Sequence, residues 1–251
     1  MEWKRDMSES VECWRKAELH AHCGIDPVDY RICPYSAQQL IFEASRHGYE
    51  ILAITCHNID IWTSELSEYA EGLGITLIPG MEVTVEGSRH LLVYNFATGC
   101  WNVDRLGKIR DLKREDNLVI APHAFYPGPT CLGRLIRDHP DVIDAFEISG
   151  FYTSVLDFNG RARRAAVDYG KPLVGNGDIH FLWQLGRTFS WVCCRPGVAA
   201  AIDAVKRGRV RVESSPLSAF EAAGWWATTA WRTVFPVNSR PSNPPLRPIY
   251  E

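Results

Sequence analysis

No apolar run in this chain approaches the ~18–20 residues needed to cross a bilayer. Its first residues, MEWKRDMSESVECWRK, carry charge where a secretory leader would carry an apolar segment. Charge of one sign is also scarce. A formal net charge of −3 gives no basic footprint for nucleic acid or an anionic membrane, although a local group of cations can still meet a small anionic substrate. Paired CxxC zinc spacings are missing, and so is the Gly-rich loop that cradles phosphates in P-loop proteins. The eight cysteines (Cys13, Cys23, Cys33, Cys56, Cys100, Cys131, Cys193 and Cys194) show no repeated spacing. A chain this long needs no disulfide staples, so the expectation is reduced thiols in a cytoplasmic protein. No internal repeat or inserted domain is visible.

What is present is an ordinary globular composition, 46% apolar and 23% charged over 251 residues, which can bury a substantial core. Strand-like stretches fall at Ala17–His20, Ile51–Thr55, Thr76–Ile78, His90–Asn95, Leu118–Ala121, Ala145–Ile148 and Leu173–Val174. Helical patterns fall at Ser36–His47, Ser64–Leu73, Leu132–Asp138 and Asn159–Tyr169, with Ser36 as an N-cap and Gly48 at the far end of the first. EVTVEGSRHLLVYN reads as a hairpin turning at Glu86–Ser88. Later come a helix over Gly197–Arg209, a short strand at Arg209–Glu213 and a helical run Phe220–Phe235 holding Trp225, Trp226 and Trp231. That run is expected to pack across the domain; oligomer or membrane-surface contact is the alternative. The prolines that follow argue for an extended or disordered tail. The plan is an N-terminal extension over 1–15, an α/β domain over 16–213, a Trp-rich helix over 214–235 and a tail over 236–251. Alternating β and α segments point to a parallel barrel or a doubly wound sheet, and both gather functional groups at the carboxyl ends of their strands.

Six of the eight histidines sit beside those strands. His20 and His22 form an HAH pair after AEL, His57 follows ILAIT, His90 opens HLLVYN, His123 closes LVIAPH and His180 closes LVGNGDIH, with Glu82 and Asp178 nearby. Residues two apart on an extended strand share a face, so His20 and His22 can grip one cation. Glu82 has two oxygens and can bridge two cations, which an imidazole cannot do. Imidazole with carboxylate suits zinc, manganese or iron without choosing among them. His47 and His139 read as surface or capping residues. Glu147 reads equally as support for the site or as a buried rim carboxylate.

The motifs ELHAHC (18–23), ITCHN (54–58), IPGMEVT (78–84), HLLVYN (90–95), IAPH (120–123) and GNGDIH (175–180) resemble the PHP (polymerase and histidinol phosphatase) family of metal-dependent phosphoesterases. The resemblance implies a distorted barrel of seven β/α units holding two or three divalent metals. It assigns His20, His22, Glu82 and Asp178 to a first metal and lets Glu82 bridge to a second with His90 and His123. A third would take His57, His180 and a loop aspartate, Asp26 ahead of Asp29. Where the family usually has TDHN this chain has Cys56, which is expected to pack inward. The implied chemistry is hydrolysis of a phosphate ester by a hydroxide bridging two cations. Glu82 would hold the bridge, Asp26 would assist the leaving alkoxide, and Arg187 would meet the remaining substrate charge ahead of Arg134, Arg161, Arg163 and Arg164. The expected substrate is a small-molecule or nucleotide phosphomonoester. A nuclease-like phosphodiesterase or 3',5'-nucleotide phosphatase acting on a nucleotide or oligonucleotide is the near alternative, and a non-catalytic structural or partner-binding module the distant one.

Overall fold

The computed structural model describes residues 14–96 and 103–236. Most of the proposed N-terminal extension and nearly all of the proposed tail lie outside those residues, as do Cys13 and Cys100. The strands, in chain order, are β1 (Trp14–Glu18), β2 (Ile51–Ala53), β3 (Thr76–Ile78), β4 (Gly80–Val85), β5 (Arg89–Tyr94), β6 (Leu118–Ala121), β7 (Ala145–Ser149), β8 (Leu173–Asn176), β9 (Thr188–Cys193) and β10 (Val210–Ser214). They form two five-stranded sheets, ordered β10-β9-β1-β2-β3 and β4-β5-β6-β7-β8. The helices are α1 (Ala37–Arg46), α2 (Ser64–Gly72), α3 (Leu106–Leu112), α4 (Gly160–Asp168), α5 (Val198–Lys206) and α6 (Ala219–Val234). None of the helices among the described residues is long and apolar enough to cross a membrane.

The expected single (β/α)7 barrel is therefore corrected to a mixed α/β fold of two sheets. The regular β/α alternation fails in two places. Pro79 separates β3 from β4, and β4 then turns back as an antiparallel hairpin with β5. Near the other end β9 runs antiparallel to both β1 and β10. Glu86 and Gly87 both take positive φ at the hairpin turn, where the residue pattern placed it. Among the described residues, three isolated bridges, His57 to Glu82, Ala21 to Ile179 and Thr153 to Leu217, join the first sheet's side to the second's.

Alternation along the strands divides the core into layers. Leu92 and Tyr94 of β5, with Leu118 and Ile120 of β6, meet Ile51, Ala53 and Ile78 of the first sheet. Their neighbours Leu91, Val93, Val119 and Ala121 face the other way, under α3 and α4. Leu52 and Leu77 of the first sheet pack under α1 and α2. Strands buried on both faces read as unbroken apolar runs, which is why ILAIT and LVIA were visible as strands. α1 starts at a capping box between Ser36 and Gln39, and Gly48 takes a positive φ just beyond its end. The expected helix at 132–138 is only a 3-10 turn, Gly133–Arg137, in a short segment that ends before Pro140. β9 escaped the pattern because two of its buried residues, Thr188 and Ser190, are polar. Ser190 Oγ accepts from Gly175 N and donates to Gly175 O, and Thr188 Oγ1 pairs with Ser214 Oγ.

Candidate metal centre

The loops leaving β1, β2, β6 and β8 converge with strands β4 and β5, and bring all nine proposed ligand residues into one cluster. Ala21 is fixed by its bridge to Ile179, so His20 and His22 project together on either side of it. Glu82 faces Leu92 in the β4–β5 register and Thr84 faces His90, which puts Glu82 and His90 diagonally on one face.

Glu82 divides its oxygens between two groups of imidazoles. Oε2 lies 3.2 Å from His20 Nε2, 3.4 Å from His22 Nε2 and 3.3 Å from His57 Nε2. Oε1 lies 2.8 Å from His90 Nδ1 and 3.3 Å from His123 Nε2. Asp178 Oδ1 lies 3.3 Å from both His20 Nε2 and His22 Nε2 and 3.5 Å from His180 Nδ1. His22 Nε2 and Asp178 Oδ1 are buried without any hydrogen bond. A divalent cation between them would satisfy both atoms, so the donor set fits a metal. Several subsets of these donors, such as His20, His22 and Glu82, or His22, Asp178 and His180, lie close enough together to share one ion.

The outer ring nitrogens are braced. Glu147 Oε2 is 2.8 Å from His20 Nδ1 and also accepts from Asn176 Nδ2, while its Oε1 accepts from His123 N. Asp26 Oδ2 is 2.8 Å from His22 Nδ1 and 3.1 Å from His57 Nδ1. Such carboxylates fix the tautomer and leave the Nε2 lone pairs facing the centre. Asp26 is fully enclosed, and its Oδ1 is taken by Val28 N and Asp29 N. Asp29 lies in the cavity wall instead, with Oδ2 3.0 Å from His180 Nε2. Gln184, which the sequence pattern did not reveal, ties the β8 exit loop: its Oε1 accepts from His180 N and Phe181 N.

Electrostatics follow from this packing. Burial opposes the charge on Glu82, yet His20, His57 and His90 hold its carboxyl well below the usual range. Burial likewise works against a protonated His123, but Cys131 and Glu82 override it and raise the imidazole to about 10. His123 and Asp178 both adopt positive φ, an unfavourable backbone state for non-glycine residues that an overdetermined site can hold.

Other proposed residues are placed elsewhere. Cys56 is buried with its Sγ 3.6 Å from Cys23 Sγ, inward as expected and outside every donor cluster. The Arg187 guanidinium binds Glu221 of α6 and does not line the cavity. Arg134, Arg161 and Arg164 edge a separate depression, and Arg163 pairs with Asp157. His139 lies against Arg110, and His47 caps α1. α6 does pack across the domain: Trp225 lies 4.6 Å from Phe151 between ring centroids and meets His180 edge-on.

A family model described as PHP-associated matches residues 157–210. No curated protein matches the chain. Several solved structures share its fold. One is a two-domain protein from Bacteroides vulgatus containing a predicted PHP-like metal-dependent phosphoesterase, 18% identical with a TM-score of 0.65 over 80% of this chain. The match spans 65% of that protein's length. A second is an amidohydrolase from Chromobacterium violaceum with bound sulfate and no metal, 14% identical, TM-score 0.51, covering 86% of this chain and 96% of that one. A third is endonuclease Q in complex with a duplex containing an abasic lesion, 15% identical, TM-score 0.50, covering 78% of this chain and 56% of that one. Residues 157–210 are thus similar to a PHP-associated segment, and the chain shares its fold with these solved structures.

Proposed function

We propose that the protein is a metal-dependent phosphoesterase that hydrolyses a phosphate monoester. The observation that carries this reading is Glu82, whose two oxygens each face a separate set of imidazoles, as a carboxylate shared by two cations requires. His20, His22, Glu82 and Asp178 would hold one cation, and Glu82, His90 and His123 a second. His57 and His180 would hold a third with Asp29, because Asp29 faces the cavity while Asp26 has both oxygens engaged beneath it. Divalent cations bound there supply an activated water and neutralise phosphoryl charge. Zinc, manganese and iron all suit the donor set.

The chain's own groups do the rest. Glu147 and Asp26 hold His20, His22 and His57 in one tautomer, and Glu82, His90, His123 and Asp178 line the floor of the cavity. Water adds to phosphorus, the ester P–O bond breaks, and the alcohol leaves with a proton. The fold shared with endonuclease Q keeps a phosphodiesterase in view, but none of the described residues lining the cavity is the lysine or arginine that a polyanionic strand would need. A non-catalytic module would have no use for eight donors aimed inward, two of them orphaned.

The test is a phosphatase screen with defined added metals, including single-stranded and duplex oligonucleotides as well as small esters. Glu82→Ala is expected to lose turnover and bound metal together. Full activity in that variant would overturn the bridging role. Elemental analysis showing no metal, together with no hydrolysis of any ester, would establish the non-catalytic alternative.

A further inference from the structure

The cavity above the metal centre holds about 520 Å³, and its wall differs sharply from its floor. The floor is imidazole and carboxylate. The wall is aromatic and aliphatic: Trp225 and Trp226 of α6, Phe151 and Leu156 from the segment after β7, and Tyr126 with Phe158. Trp225 and Trp226 meet at right angles with ring centroids 5.1 Å apart, and Phe151 packs against both. Leu156 and Trp226 remain 60% and 61% exposed, so apolar surface at the cavity's edge has no cover from the chain itself. The Trp225 indole N–H and the Tyr126 hydroxyl are both shielded from solvent without a partner, which leaves two polar groups within a largely apolar wall.

Charge sharpens the contrast. Among the described residues lining the cavity there is no lysine or arginine, and the arginine nearest in sequence, Arg187, is committed to Glu221. A second anionic group on a substrate, reaching beyond the proposed cations, would therefore find no lysine or arginine among the described lining residues. A polyhydroxylated alcohol seated at this wall would lose water against the faces of the Trp225 and Phe151 rings, which offer its hydroxyls no strong hydrogen-bond partner.

Resting on the phosphoesterase reading, we infer that the substrate is a phosphomonoester of an aromatic or largely apolar alcohol with no second anionic group, its ring seated against Trp225 and Phe151. Hydrolysis releases that alcohol and inorganic phosphate, water giving its oxygen to phosphorus and a proton to the alcohol. α6 is thus the specificity wall of the site, pinned by Arg187–Glu221 at one end and by Arg232, whose Nη1 donates to Ile32 O, at the other.

The experiment compares 1-naphthyl phosphate, glycerol 1-phosphate and adenosine 3',5'-bisphosphate on the manganese-loaded protein. The naphthyl ester is expected to lead in kcat/KM by at least about tenfold, the scale of one stacked aromatic contact with its burial. Trp225→Ala and, separately, Phe151→Ala should each raise KM for the naphthyl ester about tenfold and leave KM for glycerol phosphate nearly unchanged. Trp231→Ala, on the exposed part of α6, serves as the control for helix docking, with melting curves to verify folding. A readout independent of turnover is 1-naphthol binding to metal-free protein, followed by calorimetry, which Trp225→Ala should abolish. Preference for glycerol phosphate or the bisphosphate, or equal loss on all esters with naphthol binding intact, would overturn the assignment. If no ester releases phosphate while naphthol still binds, the phosphoesterase reading fails and takes the substrate class with it, although the aromatic subsite stands.

Discussion

Exchanging Glu147 for glutamine changes one atom of a side chain that lies behind the proposed ligands. The three donors around it decide the outcome. Oε2 accepts from His20 Nδ1 at 2.8 Å and Asn176 Nδ2 at 3.0 Å, and Oε1 accepts from His123 N at 3.0 Å. Glutamine must turn its NH₂ toward one side or the other. Facing His123 N opposes one donor with another; facing His20 and Asn176 opposes two. Asn176 has no easy way to flip, because its Oδ1 accepts from Leu19 N. The better choice still strands a buried N–H, a cost of about 1–3 kcal/mol. It also replaces a charged acceptor behind His20 with a neutral one, which weakens metal affinity roughly 10- to 100-fold. That loss corresponds to ~1.4–2.7 kcal/mol at the metal. Competition against a chromophoric chelator measures the affinity, and melting of the metal-free protein separates it from the effect on folding. Affinity within twofold of the parent, with an unchanged melting temperature, would refute the bracing role of Glu147.

Two further outcomes follow from the same geometry. His123 is raised to about 10 in the metal-free protein, so at pH 7 it carries a proton that a cation must displace. Metal affinity should therefore rise with pH, about tenfold per unit for each proton expelled, and calorimetry in buffers of different ionisation enthalpy should report proton release at pH 7; binding without proton release would refute it. Gly175→Ala would place a methyl group 2.6 Å from Val212 Cγ1 and 2.7 Å from the backbone Phe189 O. A loss of about 1–3 kcal/mol is expected in thermal or urea unfolding, and an unchanged midpoint would mean that β8 does not approach β9 and β10 so closely.

The convergence of the proposed ligands was legible in the sequence because these residues are chemically distinctive and follow apolar runs that strand alternation explains. The sheet arrangement was less so. HLLVYN and the preceding EVTV announce a hairpin, but nothing local to Pro79 says that the first sheet ends there. β9 was hidden by Thr188 and Ser190, polar residues that face inward to bond neighbouring strands. α3 was missed because LGKIRDL is short and buries only Leu106 and Ile109. Asp29 faces the cavity and Asp26 lies beneath it, a difference across three residues of loop that spacing alone does not resolve. Arg187 looked available because its partner, Glu221, lies 34 positions away in the chain.

The two sheets also differ in how the chain completes them. The second is assembled from one continuous stretch, β4 to β8, whereas the first sandwiches β1 between β2 and β9. Trp14 pairs with Cys193, so the strand leading into His20 and His22 has an open flank until nearly four-fifths of the chain has been made. During synthesis the second sheet can close around Glu82, His90 and His123 while the HAH pair still lacks that flank and the loop holding Asp178. Metal capture by the full proposed donor set would then be a late event, and metal supplied to a growing chain would report the moment β9 reaches β1.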